Sequence, residues 1–490
     1  MGRGIAQACA AAGCEVQLFD MAADAVARAL DAVRTDLAQG VAKGRLSQED
    51  LDATMARLQG IGDIALMADR DLVVEAIVEK LEPKQQLFRQ LEGIVGPDCV
   101  LATNTSSLSV TAIAANCERP QRVAGWHFFN PVTRMRVVEV IQAPRTSDEA
   151  VEALGELSRR MGHRGVRTSD SPGFVVNHAG RAFVTEGLKL LSERTAEHPV
   201  LDGILRSCAG FRMGPLELLD LTGLDVSVPV MESIHGQYYG DDRYRPSPLA
   251  RTRLLAGLLG RKAGQGFYRY EAGAGAATPA DAKTLAAPYE GAVWWPDDGP
   301  AALPAALAEI LGAVRRVADP AQADLLLLAP LAEDLSTTVA TLGLDAARAV
   351  AIDPLFGSRN GVTLMASPAT SGAAIDAAQA AFAAAAVPAF VIADSPGYVA
   401  PRVVACVVNL ACEMAQQAVA SPADIDAAVR LGLGYPMGPF EWGDKLGATR
   451  VLEVLRGLQT TFGDQRYRPA PWLVRRARLG LSLSAPDRQP

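Results

Sequence analysis

Hydrophobic and polar positions fall along this chain in blocks whose period changes several times. Gly4 to Gly13 is small and apolar at helical spacing, and Gly13 suits a helix stop. Glu15 to Asp20 then alternates as a strand with a carboxylate at its end. Ala22 to Ala42 and Ser47 to Leu58 read as two helices joined at Gly44. Asp71 to Ala76 and Val100 to Asn104 are short apolar runs of the kind buried in parallel sheets, and Arg122 to Phe129 and Arg136 to Ile141 read as further strands. This alternation predicts a doubly wound α/β domain over residues 1–168. Long helical stretches then predict an all-helical domain over 169–270, and the Gly/Ala/Pro-rich residues 271–290 a linker.

The chain also repeats itself. DSPGFV (170–175) recurs as DSPGYV (394–399), MGPLE (213–217) as MGPFE (437–441) and RYRPSP (243–248) as RYRPAP (466–471). The offset is 224 residues, slipping to 223 at the last motif, and Asp202 and Asp220 fall on Asp426 and Asp444. The helical domain is therefore duplicated over 393–490. Pushed backward, the offset sets Pro144 and Ser147 on Pro368 and Ser371, which makes 291–392 a degenerate second α/β unit with Ala323 to Pro330 as one strand.

Composition narrows the class. The 490 residues exceed one core, and 49% hydrophobic with 21% charged is the balance of a globular protein. A net charge of −8 without a Lys/Arg block gives no surface for nucleic acid. Seven scattered cysteines, never as CxxC, read as reduced thiols in a cytoplasmic protein, and no Cys/His cluster has metal-ligand spacing. The longest apolar runs break within ~12 residues, too short for a membrane span. No basic flank leads into an apolar region at the start, so no secretory signal is expected.

Some residues suggest chemistry. Asp20, ending its strand, can accept from ribose hydroxyls and would repel the extra phosphate of NADP, or it is a solvated strand end. Gly2 and Gly4 at a helix start are phosphate-loop glycines or packing glycines. His127 and Glu139 lie on apparent neighbouring strands; they form either a general base with its orienting carboxylate, or a core histidine and an edge glutamate. Ser106, between a strand and a helix in NTSSL, caps that helix or aims its hydroxyl at a substrate. Asn177 has the same two readings.

HFFNP (127–131), VEAIVE (74–79), NTSSL (104–108), SPGFVVN (171–177) and RKAGQGFYRY (261–270), in that family's spacing, resemble the L-3-hydroxyacyl-CoA dehydrogenases. The tandem helical domain resembles their long bacterial form, of the 3-hydroxybutyryl-CoA and 3-hydroxyadipyl-CoA dehydrogenase type. The resemblance implies a Rossmann-type first domain and NAD-dependent oxidation of L-3-hydroxyacyl-CoA to 3-oxoacyl-CoA, in fatty-acid β-oxidation or phenylacetate-type catabolism. It implies His127 as catalytic base, Glu139 as its partner, Ser106 and Asn177 on the substrate oxygen and Asn130 in support. Asp20 would bind the adenosine ribose, with Glu79, Lys84 and Lys262 on the nicotinamide side; Ser106 and Asn130 border the cofactor too. Lys43 aligns with a CoA-contacting lysine, or is a solvated surface lysine. Acyl-CoA is the expected partner, and a homo-oligomer stays open.

One departure matters. The family's phosphate loop, G-x-G-x-x-G, follows a first strand, and residue 1 falls inside it; Gly2 and Gly4 fill only its later positions. The chain as written is therefore expected to bind NAD poorly, unless a longer product supplies the strand, and a catalytically silent NAD- or CoA-binding or scaffolding protein is the alternative. A dehydrogenase of free 3-hydroxy acids would share the fold but have no use for the Lys43 hairpin. At the 224 offset, Ser106, His127, Asn130, Glu139 and Asn177 fall on Pro330, Ala351, Pro354, Thr363 and Pro401, so the second half is expected to be catalytically dead and to serve packing.

Overall fold

The small-residue run at the start forms helix α1 (Gly2–Ala11), and strand β1 (Val16–Leu18) follows it. Gly13 turns the chain between them at φ +90°, a conformation open to glycine at no steric cost. The structure, a computed structural model, describes residues 1–270 and 289–487. The expected helical pair is α2 (Ala23–Ala42) and α3 (Gln48–Ala56), the latter started by a reciprocal Ser47–Asp50 capping box. The second helix stops short of Leu58, because Leu58–Gly60 becomes strand β2, parallel to β1.

Then come β3 (Leu72–Glu75), α4 (Leu81–Glu92), β4 (Val100–Thr103), α5 (Val110–Ala114), β5 (Val123–Phe128), β6 (Val137–Gln142), α6 (Asp148–Arg160) and β7 (Arg164–Ser169). β3 to β7 form one five-stranded sheet in that order, parallel except for β5 against β6. β1 and β2 are a separate two-stranded sheet, and no strand precedes α1 among the described residues. Side chains bridge the two: Ile5, Ala8 and Cys9 of α1 share one core with Val16 of β1, Val74 of β3 and Trp126 of β5.

The helical stretch comprises α7 (Val176–Ala179), α8 (Arg181–Ser192), α9 (His198–Ser207), α10 (Pro215–Thr222), α11 (Leu224–Gln237) and α12 (Pro248–Leu255). The expected linker lies, but for its last two residues, outside the described residues. Beyond it are β8 (Ala292–Trp294), α13 (Ala305–Ile310), β9 (Arg315–Arg316), β10 (Leu325–Leu328), α14 (Leu335–Leu342), β11 (Ala349–Ile352), β12 (Val362–Ala366), α15 (Gly372–Ala383) and β13 (Ala389–Ala393). Their sheet runs β13-β12-β11-β10-β8-β9, with β11 and β12 antiparallel. At the 224 offset β4 to β7 land on β10 to β13, in the same order and sense; β8 and β9 occupy the side that β3 takes in the first sheet. The chain ends with α16 (Ala400–Gln416), α17 (Pro422–Leu433), α18 (Pro439–Leu446), α19 (Ala448–Phe462) and α20 (Pro471–Leu479).

By packing, residues 1–178 with 417–433 form one unit, and 179–416 with 434–490 the other. These limits differ from the boundaries read along the sequence, for a local reason. α17 sits against β6 and β7: a Cβ on Gly432 would stand 3.0 Å from Val176 Cγ2, and Arg164 pairs with Asp424 at 2.7 Å. In the second unit the loop before α9 runs along β13, where Ala393 N donates to Thr195 O at 2.8 Å.

Candidate active site

β5 is buried along its whole length because it lies inside the sheet, between β4 and β6. The antiparallel register sets His127 directly opposite Glu139. Their side chains meet with Nδ1···Oε2 at 2.6 Å, at 5% and 0% exposure. Glu139 Oε1 accepts from the amides of Val175 and Val176, both at 2.8 Å, so both carboxylate oxygens are fixed. Those amides are aimed by the SPGF turn, where Gly173 and Phe174 take φ +80° and +48°; for Phe174 this is a strained conformation. Asp170 anchors the turn by accepting from Val110 N, Thr111 N and the Ser109 and Thr111 hydroxyls at the start of α5. Phe129 and Phe174 flank the imidazole, at centroid distances of 4.5 and 6.0 Å. With Nδ1–H donating to Glu139, Nε2 is the ring nitrogen left to accept a proton.

NTSSL follows β4, and Asn104 Oδ1 holds Phe128 N at 2.8 Å. Glu79 gathers the rest of the motif. Its Oε1 accepts from Thr105 Oγ1 and Ser106 N at 2.7 Å, Ser106 Oγ at 3.1 Å, and Ser107 N and Oγ at 3.2 Å. Its Oε2 lies 3.2 Å from Lys84 Nζ. Burial pushes the Glu79 carboxyl up, but the bonds from Thr105 and Ser106 and the Lys84 charge outweigh it and hold the group below its usual range. Lys84 is itself buried, 1% exposed, and pairs with Glu75 at 2.6 Å; Glu75 Oε2 in turn accepts from Thr103 at 2.7 Å. Asn177 Nδ2 reaches Ser106 O at 3.4 Å.

Ser106 and Asn177 thus stand together, but the Ser106 hydroxyl is turned to Glu79. Sequence reasoning missed Glu75 and Thr103. The signal was there: a carboxylate inside the apolar run LVVE has to be paired once buried.

On the cofactor side, α1 begins at Gly2, and the first amides of a helix have no partner within it. Only Ala76 Cβ, at 3.7 Å, would meet a Cβ on Gly2, so the backbone here is open to a phosphate. Gly4 is a packing glycine as well, since a Cβ there would press on Val132 Cγ2 at 3.0 Å. Asp20 is exposed beyond β1, with Oδ1 accepting from Ala22 N at 2.9 Å. A helix start with glycine at its first and third positions and a carboxylate after the next strand suit the diphosphate and ribose of NAD. Asn130 is exposed two residues beyond Phe128, and Lys43 is exposed at the end of α2. Lys262 belongs to the second unit, ion-paired with Asp225 at 2.5 Å.

The second sheet corrects one correspondence. Counting residues sets Glu139 on Thr363, yet the ladder places Met365 opposite Ala351. The register has shifted by two residues, which keeps every side chain on its own face. Where the first sheet has imidazole and carboxylate, the second has a methyl and a thioether.

The sequence model of the 3-hydroxyacyl-CoA dehydrogenase NAD binding domain matches residues 1–171, and that of the family's C-terminal domain matches 173–270 and again 397–484. The chain is 38% identical over 481 residues to the 3-hydroxyadipyl-CoA dehydrogenase of Escherichia coli (strain K12), covering 98% of this chain and 96% of that one. It is 42% identical over 270 residues to a probable 3-hydroxybutyryl-CoA dehydrogenase of Deinococcus radiodurans, covering 55% of this chain and 96% of the relative. The crystal structure of 3-hydroxybutyryl-CoA dehydrogenase from Escherichia coli K12 superposes with a TM-score of 0.87 at 36% identity, over 98% of this chain and 96% of that one. Among the described residues, no helix is long and apolar enough to cross a membrane.

Proposed function

The chain belongs to the 3-hydroxyacyl-CoA dehydrogenase family, and from that premise we propose that His127 and Glu139 carry its NAD-dependent oxidation of L-3-hydroxyacyl-CoA to 3-oxoacyl-CoA. The observation that carries this reading is the 2.6 Å contact between the two side chains across the β5–β6 register. NAD, when bound, supplies the acceptor for the hydride that leaves C3. His127 Nε2 takes the proton of the C3 hydroxyl, and Glu139 holds the ring's tautomer and stabilises the imidazolium that forms. Because Glu139 is held by two amides, it stays in place as the charge develops.

Ser106 and Asn177 donate to the substrate oxygen as it becomes a carbonyl, with Asn130 in support. Ser106 Oγ must leave Glu79 to do so, and Glu79 keeps four other donors from the NTSSL loop, so the turn costs little. Gly2 and Gly4 receive the diphosphate, Asp20 the adenosine ribose, and Glu79 and Lys84 border the nicotinamide. Lys43 meets the CoA moiety. The acyl group is short or dicarboxylic, after the relatives named for 3-hydroxybutyryl-CoA and 3-hydroxyadipyl-CoA, which fits a step in fatty-acid or aromatic-acid catabolism.

The test is absorbance at the NADH band with a panel of 3-oxoacyl-CoA thioesters, four-carbon and six-carbon dicarboxylic chains included. Turnover by the unmodified chain and its loss in His127→Ala are expected. A chain silent toward every thioester in the panel would refute the reading.

A further inference from the structure

The duplicated half keeps some polar devices of the first and has lost others. Asp394 still caps the start of α14, accepting from Leu335 N at 2.7 Å and Ser336 N at 3.0 Å, as Asp170 does for α5. The buried polar network at the ends of β3 and β4 is gone. In the first sheet Glu75 and Thr103 are ladder partners, and Thr103 stands beside Gly125. Ala349, which the 224 offset sets on Gly125, stands beside Leu326, and Leu326 beside Trp294. Leu326 and Trp294 thus take the places of Thr103 and Glu75. Leu303 and Ala308 fall on Glu79 and Lys84 at the same offset and pack against the core of the second sheet. That sheet closes with an apolar residue at each of these four positions.

Stability alone does not explain a buried ion pair, because apolar residues of similar volume often serve as well or better. Glu75, Lys84 and Thr103 are all buried, and Glu75 holds three partners at once. Its Oε1 accepts from Ile77 N at 2.6 Å, on the segment that leads to Glu79. The same oxygen accepts from Lys84 Nζ at 2.6 Å, and Lys84 Nζ lies 3.2 Å from Glu79 Oε2. Its Oε2 accepts from Thr103 Oγ1 at 2.7 Å; that hydroxyl oxygen accepts in turn from Thr105 N at 3.2 Å, on the turn into the NTSSL loop. One carboxylate therefore fixes both Glu79 and the loop that Glu79 gathers.

We propose that Glu75 is a positioning residue for the oxidation, holding Glu79 and the NTSSL loop in the pose from which Ser106 donates to the substrate oxygen. This rests on the role proposed above for Ser106. The Glu75 side chain is enclosed, so it acts through its partners and not on the reacting atoms. When Ser106 Oγ turns from Glu79 to the substrate, Thr105 Oγ1 and the Ser106 and Ser107 amides keep the loop on Glu79. Lys84, pinned by Glu75, keeps Glu79 from following the hydroxyl. A donor misplaced by about 1 Å costs on the order of 10²-fold in rate. The second half, with Pro330 at the place of Ser106, has no hydroxyl to present and no network to present it.

The experiment is a double-mutant cycle on the full chain, with kcat measured at saturating NADH and 3-oxobutyryl-CoA, well below each variant's melting temperature. Glu75→Gln should lower kcat by about 10²-fold in the otherwise unmodified chain. Ser106→Ala should lower it by ~10²–10³, as the loss of one donor to a developing oxyanion does. Together they should cost no more than about twofold beyond Ser106→Ala alone, because residues that act through one another are not additive. Glu75→Gln leaves Lys84 short of a carboxylate, so Thr103→Val, which keeps the ion pair, is the second variant. It should lower kcat in the unmodified chain and be silent in the Ser106→Ala background. Losses that add in full, or variants that only melt earlier with kcat unchanged, overturn the positioning role. An unchanged kcat in Ser106→Ala would instead refute the role of Ser106 itself, and the positioning role with it.

Discussion

Ser169 N donates to Val419 O at 2.8 Å, closing the end of β7 with the loop that precedes α17. At the 224 offset this bond has a counterpart within the second unit, from Ala393 N to Thr195 O, also at 2.8 Å. Each sheet therefore has its edge met by the loop leading into the opposite repeat's helix, which spares it an unpaired strand end. The duplication is used structurally even though Ala351 and Met365 stand in the second sheet where the first has His127 and Glu139.

Cutting the chain at the linker should expose this dependence. A 1–290 fragment loses 417–433, and with it the Arg164–Asp424 ion pair and the Val419 carbonyl. It should aggregate or melt well below the full chain, read by size-exclusion chromatography and calorimetry. A 291–490 fragment should turn over no thioester, given Ala351 and Met365 in register. Full activity and solubility of 1–290 alone would count against the packing role.

The base is tested by rate. His127→Ala should lower kcat by ~10²–10⁴, the usual contribution of general-base catalysis. Glu139→Gln should lower it too, by loss of imidazolium stabilisation, with NADH affinity measured by fluorescence nearly unchanged. An unchanged kcat in His127→Ala would sink the assignment.

How much of this was legible in the sequence depends on the range of each interaction. The His127–Glu139 pair was readable because two apolar strand runs bracket a short connection. Lys84 was named as a cofactor residue, but its burial against Glu75 was not foreseeable, since no local pattern tells a buried lysine from a solvated one. β2 escaped because Leu58 to Gly60 is three residues long and continues a helical period. The shift from Thr363 to Met365 escaped for another reason: a residue offset carries no information about strand register.

Cofactor choice follows from Asp20. Its exposed carboxylate after β1 would meet the 2′-phosphate of NADPH, and no arginine follows it directly. NADH should be strongly preferred, and Asp20→Ala should narrow the preference, measured as the ratio of kcat/KM for the two cofactors. Equal efficiency with both in the unmodified chain would contradict the assignment.

The second sheet predicts a pH dependence of stability. Asp353, at the end of β11, is fully buried; Oδ1 accepts from Leu355 N and Phe356 N, while Oδ2 has no hydrogen-bond partner among the described residues. Burial pushes its carboxyl up to about 7, against an ordinary 3.8, more than the two amides lower it. The folded state thus holds a proton that the unfolded chain gives up. The resulting stability is fully present below pH 3.8, declines as the pH rises toward 7, and is gone above it. Asp202 shares this window, since burial also raises it to about 7. Asp353→Asn keeps an acceptor for the two amides and removes the ionisation. Its melting temperature relative to the unmodified chain should therefore rise between pH 5 and pH 8, flattening the profile without abolishing it, because Asp202 still titrates. Parallel pH profiles for the two proteins would show that Asp353 does not ionise in this range.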